Sequence, residues 1–261
     1  MVDFGDLKGS WAMVAGASEG LGAAFSDRLA ARGMNLLLIA RRETLLHEAA
    51  ERLTSAHDVE VRCLAQDLAA PNLAEVFSEA TADLDIGMLV YNAAFVPTGP
   101  FFDTSNDDLR QLMQVNALGL VETVKTIVPC MVERGRGGLI LVSSMAGLQG
   151  FPGLAGYSAT KAFIINLGEA LWYELRSQGV DAMAFIAGAM PTPGYTKVFK
   201  DLAPGAMSAE YAAEAGLRAL GKGPRFIPGF MNNLVAATTM RLLPRKRLIP
   251  LLARTMRNLN S

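Results

Sequence analysis

The chain has 261 residues, 51% of them hydrophobic and 19% charged, with 24 Lys+Arg against 25 Asp+Glu and a formal net charge of -1. It is too apolar for a disordered protein and long enough to bury a core without disulfides or metals. Two cysteines, Cys63 and Cys130, exclude a multi-bridge disulfide framework and read as reduced, buried thiols, while His47 and His57 have no partners at metal-ligand spacing, so no metal is expected.

Short apolar runs alternate with helical patterns from the start. The first residues carry Asp3 and Asp6 rather than a basic-then-apolar leader. A strand is predicted over residues 11–15. It runs into Ala15-Gly16-Ala17-Ser18-Glu19-Gly20-Leu21-Gly22 and then a helix over 23–32. Glycines there let the backbone turn tightly and approach a ligand, and the helix behind them aims free N–H groups and its dipole at a phosphate. No Lys-Ser/Thr follows, so this is not a P-loop. The second strand, 35–40, ends at Ala40 and is followed by Arg41 and Arg42 at the start of a helix over 43–55. An acid here would bind a ribose 2′-hydroxyl; two arginines suit a 2′-phosphate. Cations are disfavoured at a helix N-terminus, which favours a functional reading of the pair and NADP(H) over NAD(H). A third strand over 60–64 alternates, as an edge strand would; a helix over 72–81 and a strand over 86–91 follow.

A long helical segment over 107–133 carries Asn116 in its apolar interior, where an asparagine is unfavourable without a task. The next strand, 139–143, delivers Ser144, whose hydroxyl can donate to a substrate oxygen. The uncharged stretch 137–160 is too rich in glycine to span a membrane. A helix over 155–177 opens with Tyr157 and Lys161, four residues apart and so on one face. A nearby ammonium would lower the phenol's pKa and make it a usable proton-transfer group. After a strand over 181–186, residues 188–207 hold Pro191, Pro193 and Pro204 and read as a substrate lid. A helix over 209–220 and a short strand over 225–228 precede an apolar, basic extension over 231–261. It has two helical stretches divided near Pro244. No acid occurs after Glu214, and the last 47 residues hold nine Lys+Arg. The plainer reading is a tail docked on an acidic body or partner subunit. The alternative is peripheral contact with an anionic membrane through Arg241, Arg245, Lys246, Arg247, Arg254 and Arg257.

Alternating strands and helices imply an α/β fold: one doubly wound Rossmann domain, with a parallel sheet of about seven strands and helices on both faces. The motifs, taken in order over about residues 8–230, resemble the classical short-chain dehydrogenase/reductase family. Gly16, Gly20 and Gly22 match its glycine loop. Asp67, before Leu68, matches an acid that contacts adenine, and Asn92-Ala93-Ala94 falls on its turn after the fourth strand. Asn116, Ser144, Tyr157 and Lys161 match its catalytic tetrad, while Gly188 and Thr192 fall on the segment beside the nicotinamide. Ala15, Tyr91, Ala94 and Ala187 depart from the family pattern, and Glu19 stands where NADPH users often have a basic residue.

The resemblance implies a cofactor site of Gly16, Ser18, Gly20, Leu21, Gly22, Arg41, Arg42, Asp67, Leu68, Asn92, Ala93, Tyr157, Lys161, Gly188 and Thr192. It implies reduction of a hydrophobic ketone or aldehyde, or oxidation of the alcohol. Tyr157 would donate the proton and Ser144 orient the oxygen. Lys161 would tune Tyr157, and Asn116 would hold a water or backbone link in a proton relay. The substrate pocket is expected to involve Phe95, Val96, Met145, Leu148, Leu154, Met190 and residues 195–202. A homo-oligomer, dimer or tetramer, is expected through helices 107–133 and 155–177, in a cytoplasmic protein without nucleic acid as a partner. A nucleotide-binding module without turnover, and a membrane-peripheral lipid carbonyl reductase, are the alternatives.

Overall fold

In the computed structural model, which describes residues 2–203 and 205–260 and, of 239–241 and 255–260, only the backbone, seven parallel strands form one sheet. They are β1 (Trp11–Ala15), β2 (Asn35–Ala40), β3 (Val61–Ala65), β4 (Ile86–Tyr91), β5 (Gly137–Ser144), β6 (Val180–Ala187) and β7 (Arg225–Phe226). Their order is β3-β2-β1-β4-β5-β6-β7, so the chain reverses direction across the sheet between β1 and β4. Ligands bind at such a switch point, outside the carboxyl ends of the strands.

The strands alternate cleanly between two cores. Ala12 and Val14 of β1 face a layer built on α1 (Gly20–Ala30), α2 (Glu43–Ala56) and, later in the chain, a helix over residues 209–219. Met13 and Ala15 face α3 (Leu73–Thr81) and two longer helices. The first of those is not continuous. It is α4 (Asn106–Met113), a π-helical turn over Gln114–Leu118, and α5 (Gly119–Arg134). Most of this apolar run packs inside the protein. The second is α6 (Ala155–Arg176). In the first layer, Phe25 meets Phe185 edge to face at 5.5 Å, a contact worth about 0.5–1.5 kcal/mol beyond its burial.

The rest of the chain is a short α7 (Pro193–Thr196), α8 (Ala209–Ala219), α9 (Phe230–Leu242) and α10 (Arg245–Asn260). The break between α9 and α10 falls at Pro244, as the sequence predicts. Most predicted strand and helix ends shift by one to three residues: β5 begins at Gly137 and α1 at Gly20. The cysteine expectation is corrected. Cys130 is exposed, and Cys63 is half-buried, its thiol donating to the Leu46 carbonyl at 3.5 Å.

Two glycines set the approach of α6 to the sheet. A Cβ at Gly168 would lie 2.9 Å from the Ala184 Cβ on β6, and one at Gly147 would meet the Lys161 backbone at 2.6 Å. Gly168→Ala is expected to destabilise the fold by about 1–3 kcal/mol through overpacking. Urea unfolding measures this, and an unchanged midpoint would mean that α6 has room to move.

Candidate active site

Three strand ends meet at the switch point: Ala15 of β1, Tyr91 of β4 and Ser144 of β5. The glycine loop crosses above them. Gly16 has φ +82, a left-handed conformation, and a Cβ there would press on the Ala93 backbone at 2.8 Å. Asn92 Nδ2 donates to the Gly16 carbonyl at 3.0 Å, tying the loop to the end of β4. At Gly22 any Cβ would collide with that same carbonyl, so Gly22 serves loop packing and does not line the cleft. No side chain caps α1. Its first N–H groups remain available to an anion.

The capping position belongs to Glu19, whose carboxylate turns away to Arg42, 2.8 Å from Nη2. Arg41, Asp67 and Leu68 line the same cleft. Asp67 Oδ1 accepts from the Ala69 N–H at 3.0 Å. A cleft of about 550 Å³ runs from these residues along the strand ends. Its size, its glycine-lined floor and its uncapped helix fit a dinucleotide.

Farther along the same cleft stand Ser144, Tyr157 and Lys161. The helical spacing puts the last two together, with Lys161 Nζ 5.6 Å from the centre of the Tyr157 ring. Tyr157 is hydrogen-bonded through its side chain to Ser144, whose Oγ also accepts from the Ala146 N–H at 3.2 Å. Lys161 is 2% exposed and donates to the Val142 carbonyl at 2.8 Å. Ser143 Oγ in turn donates to the Lys161 carbonyl at 2.7 Å, so β5 holds the lysine at both ends.

The electrostatics differ from the expectation. Burial pushes the Tyr157 phenol up to about 12, with the Ser144 hydrogen bond opposing, and the same burial drives the Lys161 amine down to about 7. Loss of hydration outweighs the attraction that would lower the phenol.

Asn116 takes a different position. It does not line the cleft. Fully buried in the π-helical turn, its Oδ1 accepts from the Phe95 N–H at 2.8 Å, and its Nδ2 donates to the Phe95 carbonyl at 2.9 Å and to Thr160 Oγ1 at 3.2 Å. Tyr91, which stands apart from the family pattern, supports the same turn: its hydroxyl donates to the Val115 carbonyl at 2.6 Å. Burial first, then Asp67 and Glu122, push that phenol up, so it stays a neutral donor.

Gly188 and Thr192 line the cleft, and Thr192 Oγ1 caps α7 by accepting from the Tyr195 N–H at 3.3 Å. Residues 195–203 fold on themselves. Tyr195 stacks on Phe199 at 4.8 Å, and its hydroxyl accepts from the Ala203 N–H at 3.1 Å. Phe95, Val96, Met145, Leu154 and Met190 line the cleft as expected; Leu148 does not, and Leu202 is exposed. Sequence reasoning missed Phe151, Val235 and Leu252 on the wall. Leu252 comes from α10, and its spacing from Leu248 and Ile249 on one helical face was the available signal. Of the six tail cations singled out, the side chains of Arg241 and Arg257 lie outside the described residues; Arg245, Lys246, Arg247 and Arg254 are exposed.

The chain is similar to known proteins over most of its length. A family model described as short chain dehydrogenase matches residues 10–203. The chain is 33% identical over 236 residues to a 7beta-hydroxysteroid dehydrogenase of Clostridium sardiniense, covering 89% of this chain and 90% of that one. It is 39% identical over 179 residues to a very-long-chain 3-oxoacyl-CoA reductase of Aspergillus fumigatus, which is 66% of this chain and 51% of that longer protein. A solved 7beta-hydroxysteroid dehydrogenase structure superposes with a TM-score of 0.89 at 27% identity, over 97% of this chain and 100% of the other. A short-chain dehydrogenase from Sphingobium yanoikuyae in complex with NADPH gives 0.78 at 28% identity, over 90% and 97%. The chain belongs to the short-chain dehydrogenase family. It is an NAD(P)-dependent oxidoreductase acting on CH–OH and C=O groups.

The buried lysine makes stability depend on pH. Its amine sits near 7 in the folded protein against an ordinary value of 10.5, so the unfolded chain binds more protons between those values. Stability from this group therefore rises with pH across that window. Thermal melts of wild type and Lys161→Met from neutral to mildly alkaline pH are expected to show wild type gaining on the variant; parallel curves would refute a depressed lysine.

Proposed function

We propose that the enzyme interconverts a hydrophobic ketone or aldehyde and its alcohol, with NADP(H) preferred over NAD(H), through Ser144, Tyr157 and Lys161. The observation that carries the reading is the phenol of Tyr157 hydrogen-bonded to Ser144, with the Lys161 amine 5.6 Å from its ring, in the cleft that the glycine loop also lines. The nicotinamide cofactor supplies or accepts the hydride. It would be held by the α1 N-terminus, Asp67 and Leu68, the Asn92-Ala93 turn, and Gly188 and Thr192.

With its pKa raised, Tyr157 is a neutral acid at physiological pH and can give its proton to the substrate oxygen. Ser144 orients that oxygen and hydrogen-bonds the phenolate left behind. Lys161 titrates near neutrality, so its protonated form stabilises the phenolate and can return the proton. Asn116 acts as a positioning residue. It fixes Phe95 on one side of the cleft and Thr160, next to Lys161, on the other.

The substrate end of the cleft is walled by Phe95, Met145, Leu154, Met190, Phe199 and Leu252, which favours a bulky apolar body. Residues 188–207 are read as its lid. The 7beta-hydroxysteroid dehydrogenase and the very-long-chain 3-oxoacyl-CoA reductase carry names that fit such a pocket. A homo-oligomer is proposed through α5 and α6, where Phe163 and Tyr173 are exposed.

Tyr157→Phe is expected to lower kcat by at least about a hundredfold, the scale of general acid catalysis, with dinucleotide affinity retained; a near-wild-type rate would defeat the assignment. Selectivity rests on Arg41 and on Arg42, which Glu19 shares with any 2′-phosphate. Glu19→Gln is expected to tighten NADPH by roughly two- to fivefold, the worth of an exposed ion pair, and NADH much less. Equal gains for both cofactors, read by fluorescence titration, would refute a 2′-phosphate site at the arginines.

A further inference from the structure

A second cavity, of about 590 Å³, lies beside the cleft. Phe151 lines both. The outer face of α6 forms one wall, Leu148, Gln149 and Pro152 another, and Arg245 and Ile249 of α10 close the far side. Helix α10 thus serves both spaces. Leu252 faces the cleft, Ile249 and Arg245 face the second cavity, and Leu248 between them is fully buried. The spacing from 245 through 248 and 249 to 252 keeps these side chains on one helical face.

One polar feature of this cavity has no use inside the chain. Arg245 has no ion-pair partner among the described residues. The one acid on the walls, Glu169, is paired with Arg225 at 3.4 Å. Along the chain the charge near Arg245 is of one sign, since Lys246 and Arg247 follow it and no acid occurs after Glu214.

We propose that this second cavity is the far half of the substrate site. It receives the end of an elongated amphiphile whose carbonyl lies at Tyr157, and Arg245 binds an anionic group, carboxylate or phosphate, at that end. The inference rests on the reading of the cleft as a carbonyl site and adds to it the class of substrate. A dinucleotide along the glycine loop, Asp67 and Asn92 takes up much of the 550 Å³ cleft, leaving a long substrate to extend past Phe151.

The test is direct binding of a matched pair, a long-chain oxocarboxylic acid and its methyl ester, to the full-length protein by calorimetry. The acid is expected to bind wild type about three- to tenfold more tightly than the ester, as an accessible guanidinium–carboxylate contact allows. That preference should shrink as salt is raised. Arg245→Gln, checked for an unchanged melting temperature, should abolish it. Equal affinities in wild type, or a preference that survives Arg245→Gln, overturn the proposal. Arg245-dependent binding to phosphatidylglycerol vesicles, with acid and ester bound alike, also overturns it and assigns the cation to a lipid surface. Turnover of a short apolar ketone is scored separately. If it occurs without any Arg245-dependent preference, the carbonyl reading stands and this inference falls. If the preference is found but no carbonyl is reduced, the anion site stands and the carbonyl reading falls.

Discussion

Lys161 lies in an apolar seam between β5 and α6, with its amine on the Val142 carbonyl and its own carbonyl on Ser143. An ammonium taken out of water is costly unless its protons find acceptors, and the cost appears here as a depressed pKa. Much of the surrounding architecture keeps that geometry. Gly147 and Gly168 let α6 come close to the short turn after β5 and to β6, and the tail of β5 runs long enough to supply both Val142 and Ser144. Tyr157, one helical turn before the lysine, is desolvated in the same seam. Its neutral state and the lysine's readiness to titrate follow from one cause.

A second set of constraints aligns the opposite wall. The π-helical turn at Gln114–Leu118 displaces Asn116 inward, where it reads out the backbone of Phe95 and reaches Thr160. π-Bulges are energetically unfavourable and tend to survive where a side chain must be re-aimed. Here the hydroxyl of Tyr91 helps hold the turn through Val115. The wall carrying Phe95 and the helix carrying the Tyr–Lys pair are therefore joined through buried hydrogen bonds. Polar networks of this kind give rigidity when every member is satisfied.

Sequence alone was enough for the parallel sheet, because five of the seven strands show as apolar runs and a sixth as an alternating one, and for the Tyr157–Lys161 pair, because four-residue spacing is a geometric statement. It was enough for the glycine loop for similar reasons. It could not reveal what Asn116 touches, since its partners are backbone groups 21 residues away and a threonine 44 away. Nor could it weigh burial against charge at Tyr157, because that balance depends on how far α6 sinks against the sheet. Glu19 stands where a cofactor with a 2′-phosphate would favour a basic residue; in the structure it is the partner of one of the two arginines. The tail escaped placement because its apolar residues serve two cavities, and a helical stripe does not say what it faces.

Leu252 gives α10 a share in the cleft wall. A change that shifts α10 therefore moves a side chain on the same cleft that Tyr157 lines.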